Sequence, residues 1–277
     1  MSAAEREPSV TTSDGRPATA ISPEGHAGPS VRSAPQRYGT IVIVGGGCYG
    51  SYYLRQLGRA VNAGALAWRR LIVVDRDPQC RAAREHAEGV DVVIRDWATF
   101  FAEFLDAAAE DPDSVTGDAI VPSPLMPHLL FDWVVERSRA HWPGRHVAVV
   151  PLGATPNIPW QRSSPDRNTH YVSFAEWMCP INCIEPTRCP ATKGTRSWTM
   201  PQALAEYVGM ERARGHNLAG PFVFHCTHRA YGVGMIDVSS VVHADAAIRE
   251  LAQRGPADII VGTVSHCHGA IGRLEIA

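Results

Sequence analysis

Cys179, Cys183 and Cys189 fall within eleven positions, in the spacing C-x3-C-x5-C. Pro180, Pro186 and Pro190 are interleaved with them. Each proline removes a backbone donor and fixes φ, so the segment reads as a stiff, irregular loop. A loop of that kind can wrap thiolates around a metal. Four thiolates are the common complement of an iron–sulfur cluster. The loop supplies three, and the fourth ligand is Cys226, Cys267 or a nearby histidine. A three-cysteine cluster with one iron open to substrate is a further option. Zinc sites usually offer C-x2-C pairs, and this chain has none, so zinc stands as the alternative metal. The plain alternative is a set of reduced, unligated loop thiols. Arg188, Lys193 and Arg196 would lower thiolate pKa values, or are ordinary surface charges. Trp177 and Trp198 flank the loop and read as a cover for the site or as core.

Two further segments combine cysteine with histidine: His225-Cys226-Thr227-His228 and His266-Cys267-His268. Each ends or follows an apolar strand. Alternation along a strand places Cys226 with His228, and His266 with His268. Either pair could ligate metal or serve as acid and base near neutral pH. His228, His266 and His268 are therefore the catalytic candidates. For any one of them alone, a hydrogen-bonded histidine at a strand end is the simpler reading. Gly269 and Gly272 beside the second segment allow close approach of a ligand or form a turn.

Upstream, Gly45-x-Gly47-x-x-Gly50 matches the dinucleotide fingerprint. The first glycine permits a tight turn, the second lets backbone approach a pyrophosphate, and the third allows close helix–strand packing. The helix that follows presents free N–H groups to phosphate. Asp75 stands 25 residues beyond Gly50, at the end of the next apolar run, where an acid binds adenosine ribose hydroxyls and favours NAD. Arg76 leaves NADP open. Cys48, inside the turn, reads as a small buried residue. A glycine turn that binds nothing is the alternative.

These groups need a scaffold. Strands at Thr40–Val44, Leu71–Asp75, Val90–Arg95, Asp118–Val121 and His146–Val150 alternate with helices at Ser51–Asn62, Pro78–Ala87, Ala98–Ala109 and Leu125–Arg139. That pattern predicts an α/β fold with a doubly wound parallel Rossmann sheet. A cysteine-rich α+β extension follows, with helices at Gln202–Arg212 and Val241–Gln253 and strands at Pro221–Thr227, Gly232–Val238 and Asp258–Ser265. The expected divisions are a disordered tail over 1–37, rich in Ser, Pro, Ala, Gly and Thr, a dinucleotide-binding domain over 38–150, and a cysteine/histidine-rich domain over 151–277.

The pieces Ile41-Val42-Ile43-Val44-Gly45-Gly46-Gly47, Val73-Val74-Asp75-Arg76-Asp77-Pro78, Gly89-Val90-Asp91-Val92-Val93-Ile94-Arg95-Asp96 and Asp118-Ala119-Ile120-Val121 resemble the TrkA-N (RCK-type) NAD-binding domain. The resemblance covers about residues 38–135 and implies a regulatory or catalytic NAD-binding module. After the fourth strand the family's polar segment is replaced by Pro122-Ser123-Pro124-Leu125-Met126-Pro127-His128, a departure from potassium-transport regulators.

The 277 residues carry a formal charge of −2 and 45% hydrophobic side chains. That balance gives no global attraction for nucleic acid, and no apolar run reaches the length of a membrane span. With no secretory signal in view, a reducing cytoplasm is expected. The combined reading is an NAD(P)-linked oxidoreductase with an iron–sulfur or other metal site, acting on a small-molecule substrate or a redox partner protein, with a homo-oligomer as one option. The competing readings are a non-catalytic NAD or redox sensor and, third, a tetrapyrrole-type dehydrogenase or chelatase.

Overall fold

The computed structural model describes residues 34–85, 88–164, 166–175 and 179–277. The expected tail lies outside the described residues up to position 33, and residues 36 and 37 already belong to the first strand. The chain runs β1 (Gln36–Val44), α1 (Cys48–Asn62), β2 (Leu66–Asp75), α2 (Arg81–Glu85), β3 (Asp91–Ile94), α3 (Trp97–Glu110), a 3₁₀ turn (Pro112–Val115), β4 (Ala119–Val121), α4 (Leu129–His141) and β5 (Val147–Val150). It continues through β6 (Trp160–Ser164), β7 (Thr169–Ser173), α5 (Met200–Ala213), β8 (Leu218–His225), β9 (Thr227–Ala230), β10 (Val233–Asp237), α6 (Val238–Gln253), β11 (Ala257–Val264) and β12 (His268–Ile276).

Two mixed sheets result, so the fold class is α/β. The first has the order β3-β2-β1-β4-β10-β9. Its first four strands are parallel, and β10 and β9 add on antiparallel. β1 is apolar on both faces because both are covered. Ile41 and Ile43 pack with Leu54 and Leu57 of α1, whereas Val42 and Val44 pack with Leu105 of α3 and Val241 and Ile248 of α6. Asp96 caps α3, its side chain accepting from Ala98 N–H and Thr99 N–H.

The second sheet has the order β6-β7-β12-β11-β8, with β5 also paired to β12. β8 and β11 are parallel, and the other pairings are antiparallel. β8 leads into β9 through Cys226, whose N–H donates to Val264 O at 2.8 Å. One stretch of chain thereby passes from the second sheet to the first. The turn between β11 and β12 is held from two sides. Met200 N–H at the start of α5 donates to His266 O, and Phe174 N–H donates to Cys267 O.

The expected run of five parallel strands needs correction. β5 lies in the other sheet, antiparallel to β12, and the free edge of β4 is taken by β10 from the C-terminal half. The aliphatic Val147–Val150 is equally compatible with either sheet, so its pattern could not choose. Arg145 does: its guanidinium donates to Ala252 O, Gly255 O and Ile276 O, which sets the entry to β5 against the end of α6 and against β12. β6, β7, β9 and β12 were not anticipated. In β12, Gly269 and Gly272 interrupt the apolar pattern, and the structure shows why they are there. A Cβ on Gly272 would stand 2.1 Å from the Phe131 ring, and one on Gly269 would stand 2.3 Å from Val264.

Gly272→Ala is expected to destabilise the fold by about 2 kcal/mol through overpacking. Adding Phe131→Leu should return part of that loss. Urea midpoints of the two single variants and the double variant check the coupling.

Candidate functional site

The glycine turn sits at the carboxyl end of β1. Gly45 has φ of +89°, a conformation that favours glycine. A Cβ on Gly50 would stand 1.7 Å from Gly45 O, so α1 could not pack as it does with any larger residue. Gly47 differs: its φ is −75° and a Cβ there would meet nothing within 4 Å. Protein packing does not explain that glycine. α1 begins at Cys48 without a side-chain cap on its first N–H groups. Asp75 braces the turn, its carboxylate accepting from Gly46 N–H at 2.6 Å and Asp77 N–H at 2.9 Å. A carboxylate has about four acceptor sites, so two remain. Arg76 lies over the Trp97 ring, 5.1 Å from its centroid. Cys48 is exposed, contrary to expectation; the buried thiol here is Cys80, packed under Gly46. An open groove lined by Gly47, Cys48, Asp75, Arg81 and Arg84 runs along one side of the turn.

On the other side, Tyr49 and Tyr53 of α1 line a cavity of about 460 Å³. Its floor is made by Thr263 and Val264 of β11 and by Gly269 of β12, and Pro122 and Ser123 after β4 close one wall. Cys226 and His228 both line it, as alternation implied. Cys179, Cys183, Glu185 and His268 complete the far wall.

Behind that wall lies a second, small void of about 20 Å³. Cys179, Cys183, Cys189 and Cys267 all line it, and Trp198, stacked on Phe174 at 3.2 Å, covers it. Cys226 does not line it. Of the two cysteines considered as a fourth member, Cys267 joins the loop and Cys226 stays in the large cavity. Among the described residues no three of Cys, His, Asp and Glu are gathered tightly enough to hold a single metal ion. Trp177 lies outside the described residues. Burial first, then the neighbouring Cys183, pushes the Cys179 thiol up to about 12, and burial raises Cys267 to about 11. The Thr192 hydroxyl and N–H pull Cys189 down. Of the three expected basic residues only Arg196 reaches a cysteine, donating to Cys267 Sγ at 3.4 Å; Arg188 donates to Lys193 O within the loop.

The residue that organises this region is Glu185, which the sequence reading did not single out. It sits at φ of +52° and is almost fully buried. Its carboxylate accepts from the Ser265 hydroxyl, from His266 N–H at 3.0 Å and from Cys267 N–H at 3.1 Å. His228 Nδ1 and His266 Nδ1 lie 3.7 and 3.6 Å from it. Burial alone would raise its pKa; the Ser265 hydroxyl, the two N–H groups and His228 outweigh that and hold the carboxyl below its ordinary value. An acid set between two cysteines and a proline was the available signal.

The histidines divide by role. Ser173 donates its hydroxyl hydrogen to Ala175 O, so it accepts from His268 Nδ1 at 2.7 Å. That leaves His268 Nε2 as the acceptor for the Cys179 thiol, 3.0 Å away. His268 is thus tied to the thiolate group. His266 is not on a strand, does not share a face with His268, and packs edge-on against His225 at 4.7 Å. His228 is the histidine in the large cavity that is not tied to a thiol. Burial lowers the pKa of His225, His228 and His268.

A family model described as "AF_1314_C: Uncharacterized protein, C-terminal domain" matches residues 130–277, more than half of the chain. The chain belongs to the AF_1314_C family. The matched region runs from α4 to β12 and contains the cysteine loop, Glu185 and all three candidate histidines. The glycine turn and nearly all of the TrkA-N-like stretch lie outside it. No curated protein and no solved structure matches the chain.

Glu185→Ala strands several buried donors and is expected to cost on the order of 3 kcal/mol. Glu185→Gln keeps one acceptor oxygen and should cost about 1 kcal/mol. Denaturant midpoints of the metal-free chain measure both.

Proposed function

We propose that this chain is an NAD(P)-linked oxidoreductase with an iron–sulfur cluster on Cys179, Cys183, Cys189 and Cys267. The convergence of those four cysteines on one small void carries the reading. Four thiols are the donor set such a cluster takes. They ring a space instead of closing on one point, which suits a multi-atom cluster better than a lone zinc. A void of about 20 Å³ is the size of one water, so loading requires the loop to move outward. Between Cys179 and Trp198 the loop contains no helix or strand beyond one Arg188–Thr195 bridge, so outside its anchor at Glu185 it is not held in a sheet ladder. A cluster would supply one-electron transfer. His268, through Nε2, is placed to take the Cys179 proton on loading, and Arg196 balances charge at Cys267.

The parallel strands β3-β2-β1-β4 are read as the nucleotide half of a doubly wound sheet, in keeping with the TrkA-N resemblance. Two observations support a ligand there: the uncapped start of α1 and the unexplained glycine at Gly47. A dinucleotide crossing that helix start would place its adenosine in the groove by Asp75 and Arg81, and its nicotinamide beside Tyr49 in the large cavity. Cys179 and Cys183 line both cavity and void, so they are the residues that would stand between a cluster and a nucleotide bound in the cavity. His228 is the proton-exchanging candidate. The free thiols suit a reducing cytoplasm, and among the described residues no helix is long and apolar enough to cross a membrane. A redox partner protein or a second copy of the chain completes the proposal.

Anaerobic purification should yield iron and acid-labile sulfide in equal amounts. Cys→Ser at 179, 183, 189 or 267 should each remove them, whereas Cys226→Ser should keep them. Zinc without sulfide, or no metal after reconstitution, overturns the cluster. Gly47→Val should weaken NAD(P)H binding about tenfold, because the added side chain stands where backbone must approach the pyrophosphate. Its thermal midpoint should remain near that of the parent. Tight nucleotide binding without turnover would favour the sensor.

A further inference from the structure

The large cavity has a chemical character of its own. Tyr49, Tyr53, Trp160 and Tyr171 present aromatic walls, and Pro122 and Pro127 add flat apolar surface. Among the described residues that line it there is no lysine or arginine. The one carboxylate among the described lining residues, Glu185, already accepts from a hydroxyl and two backbone N–H groups and has two histidines beside it. An anion would enter without a counter-charge, at a high desolvation cost. A cation would find a single carboxylate whose oxygens already accept three hydrogen bonds.

Two polar side chains of this wall, Thr263 and His228, and one glycine, Gly234, bear on a ligand. Thr263 is 5% exposed and its hydroxyl has no hydrogen-bond partner among the described residues. Buried polar atoms are nearly always paired, so an orphan in a cavity wall marks a ligand contact. His228 has Nδ1 turned to Glu185, which favours a proton on that nitrogen and leaves Nε2 as an acceptor. Gly234 keeps the adjoining space open: a Cβ there would stand 2.6 Å from Cys226 Sγ and 3.9 Å from His228 Nε2.

We propose that this cavity binds an uncharged, flat aromatic substrate, held between the aromatic walls and hydrogen-bonded by His228 Nε2 and the Thr263 hydroxyl. The substrate offers both a donor and an acceptor at its polar end. A cavity of about 460 Å³ is of the size that takes such molecules. The proposal deepens the redox reading by naming the substrate class, but binding itself needs neither nucleotide nor turnover.

The test is calorimetry on the full chain as purified anaerobically, with three redox-inert probes of one shape: naphthalene-2-carboxamide, 2-naphthoate and 2-naphthylmethylammonium. The neutral carboxamide should bind about tenfold tighter than either ion. Trp160→Ala should weaken it about fivefold through loss of an aromatic wall. Thr263→Val, which keeps shape and removes the hydroxyl, should weaken it about threefold. Circular dichroism confirms that both variants fold. Equal or tighter binding of an ion, carboxamide binding that ignores both substitutions, or no binding of any probe at millimolar concentration overturns the proposal. Because the probes carry no electrons, a chain that binds the carboxamide but lacks iron or nucleotide affinity would overturn only the redox reading.

Discussion

A buried carboxylate joins the parts of this site. Glu185 comes from the irregular cysteine loop, yet its acceptor oxygens are filled by the turn between β11 and β12, and the β9 histidine His228 lies beside it. Without that attachment, prolines would keep the loop irregular, and among the described residues only the weaker contacts to sulfur, Cys179 with His268 and Arg196 with Cys267, would tie it to the β11–β12 turn and β12. The donors are backbone N–H groups at His266 and Cys267, so one interaction both seats the loop and sets the position of Cys267 against the loop cysteines. The left-handed backbone at Glu185 (φ of +52°) is a local cost that the buried contacts offset.

The two sheets depend on each other for a related reason. β4 has only three residues and would leave an apolar edge. β10 covers it, and α6, which follows β10 directly, fills the face above β1. The aliphatic core therefore draws on residues from Val42 to Ile276. Arg229 pairs with both oxygens of Asp237 at 2.6 Å, locking β9 to β10 just past the Cys226 corner. The large cavity lies where these sheets meet α1, so its shape is set by contacts from both halves of the chain.

Local patterning made much of this legible. The run from Ile41 to Val44 and the glycine turn after it are consecutive, and a parallel strand buried on both faces looks the same wherever it occurs. The helices expected over Ala98–Ala109, Gln202–Arg212 and Val241–Gln253 are present as α3, α5 and α6, each one to three residues longer at its start. Partner choice was not legible. Val147–Val150 satisfies any buried sheet, and which edge it joins is decided by Arg145, whose acceptors lie more than a hundred positions away. The strands of lower aliphatic content, β6 and β7, carry Trp160, Gln161, His170 and Tyr171, residues that only a paired sheet makes extended. The C-x3-C-x5-C spacing announced three cysteines. Choosing between Cys226 and Cys267 required knowing that one is the corner between two strands and the other the turn that Glu185 holds.

The arrangement of the two cavities constrains any chemistry placed here. Cys179, Cys183 and Glu185 form a wall one residue thick between the void and the large cavity. His268 sits in that wall with both ring nitrogens engaged, whereas His228 has Nδ1 turned to Glu185 and lines the cavity beside it. The two histidines are therefore not interchangeable. On the proposed reading, a proton from a cysteine on the void side would go to His268, whose Nδ1 is held by the Ser173 hydroxyl, and one exchanged on the cavity side would go to His228, beside Glu185. Burial lowers the pKa of both imidazoles, which favours the neutral ring on each. On the proposed reading, that separation would let the thiol group change its charge state without taking the proton that a substrate in the neighbouring cavity needs.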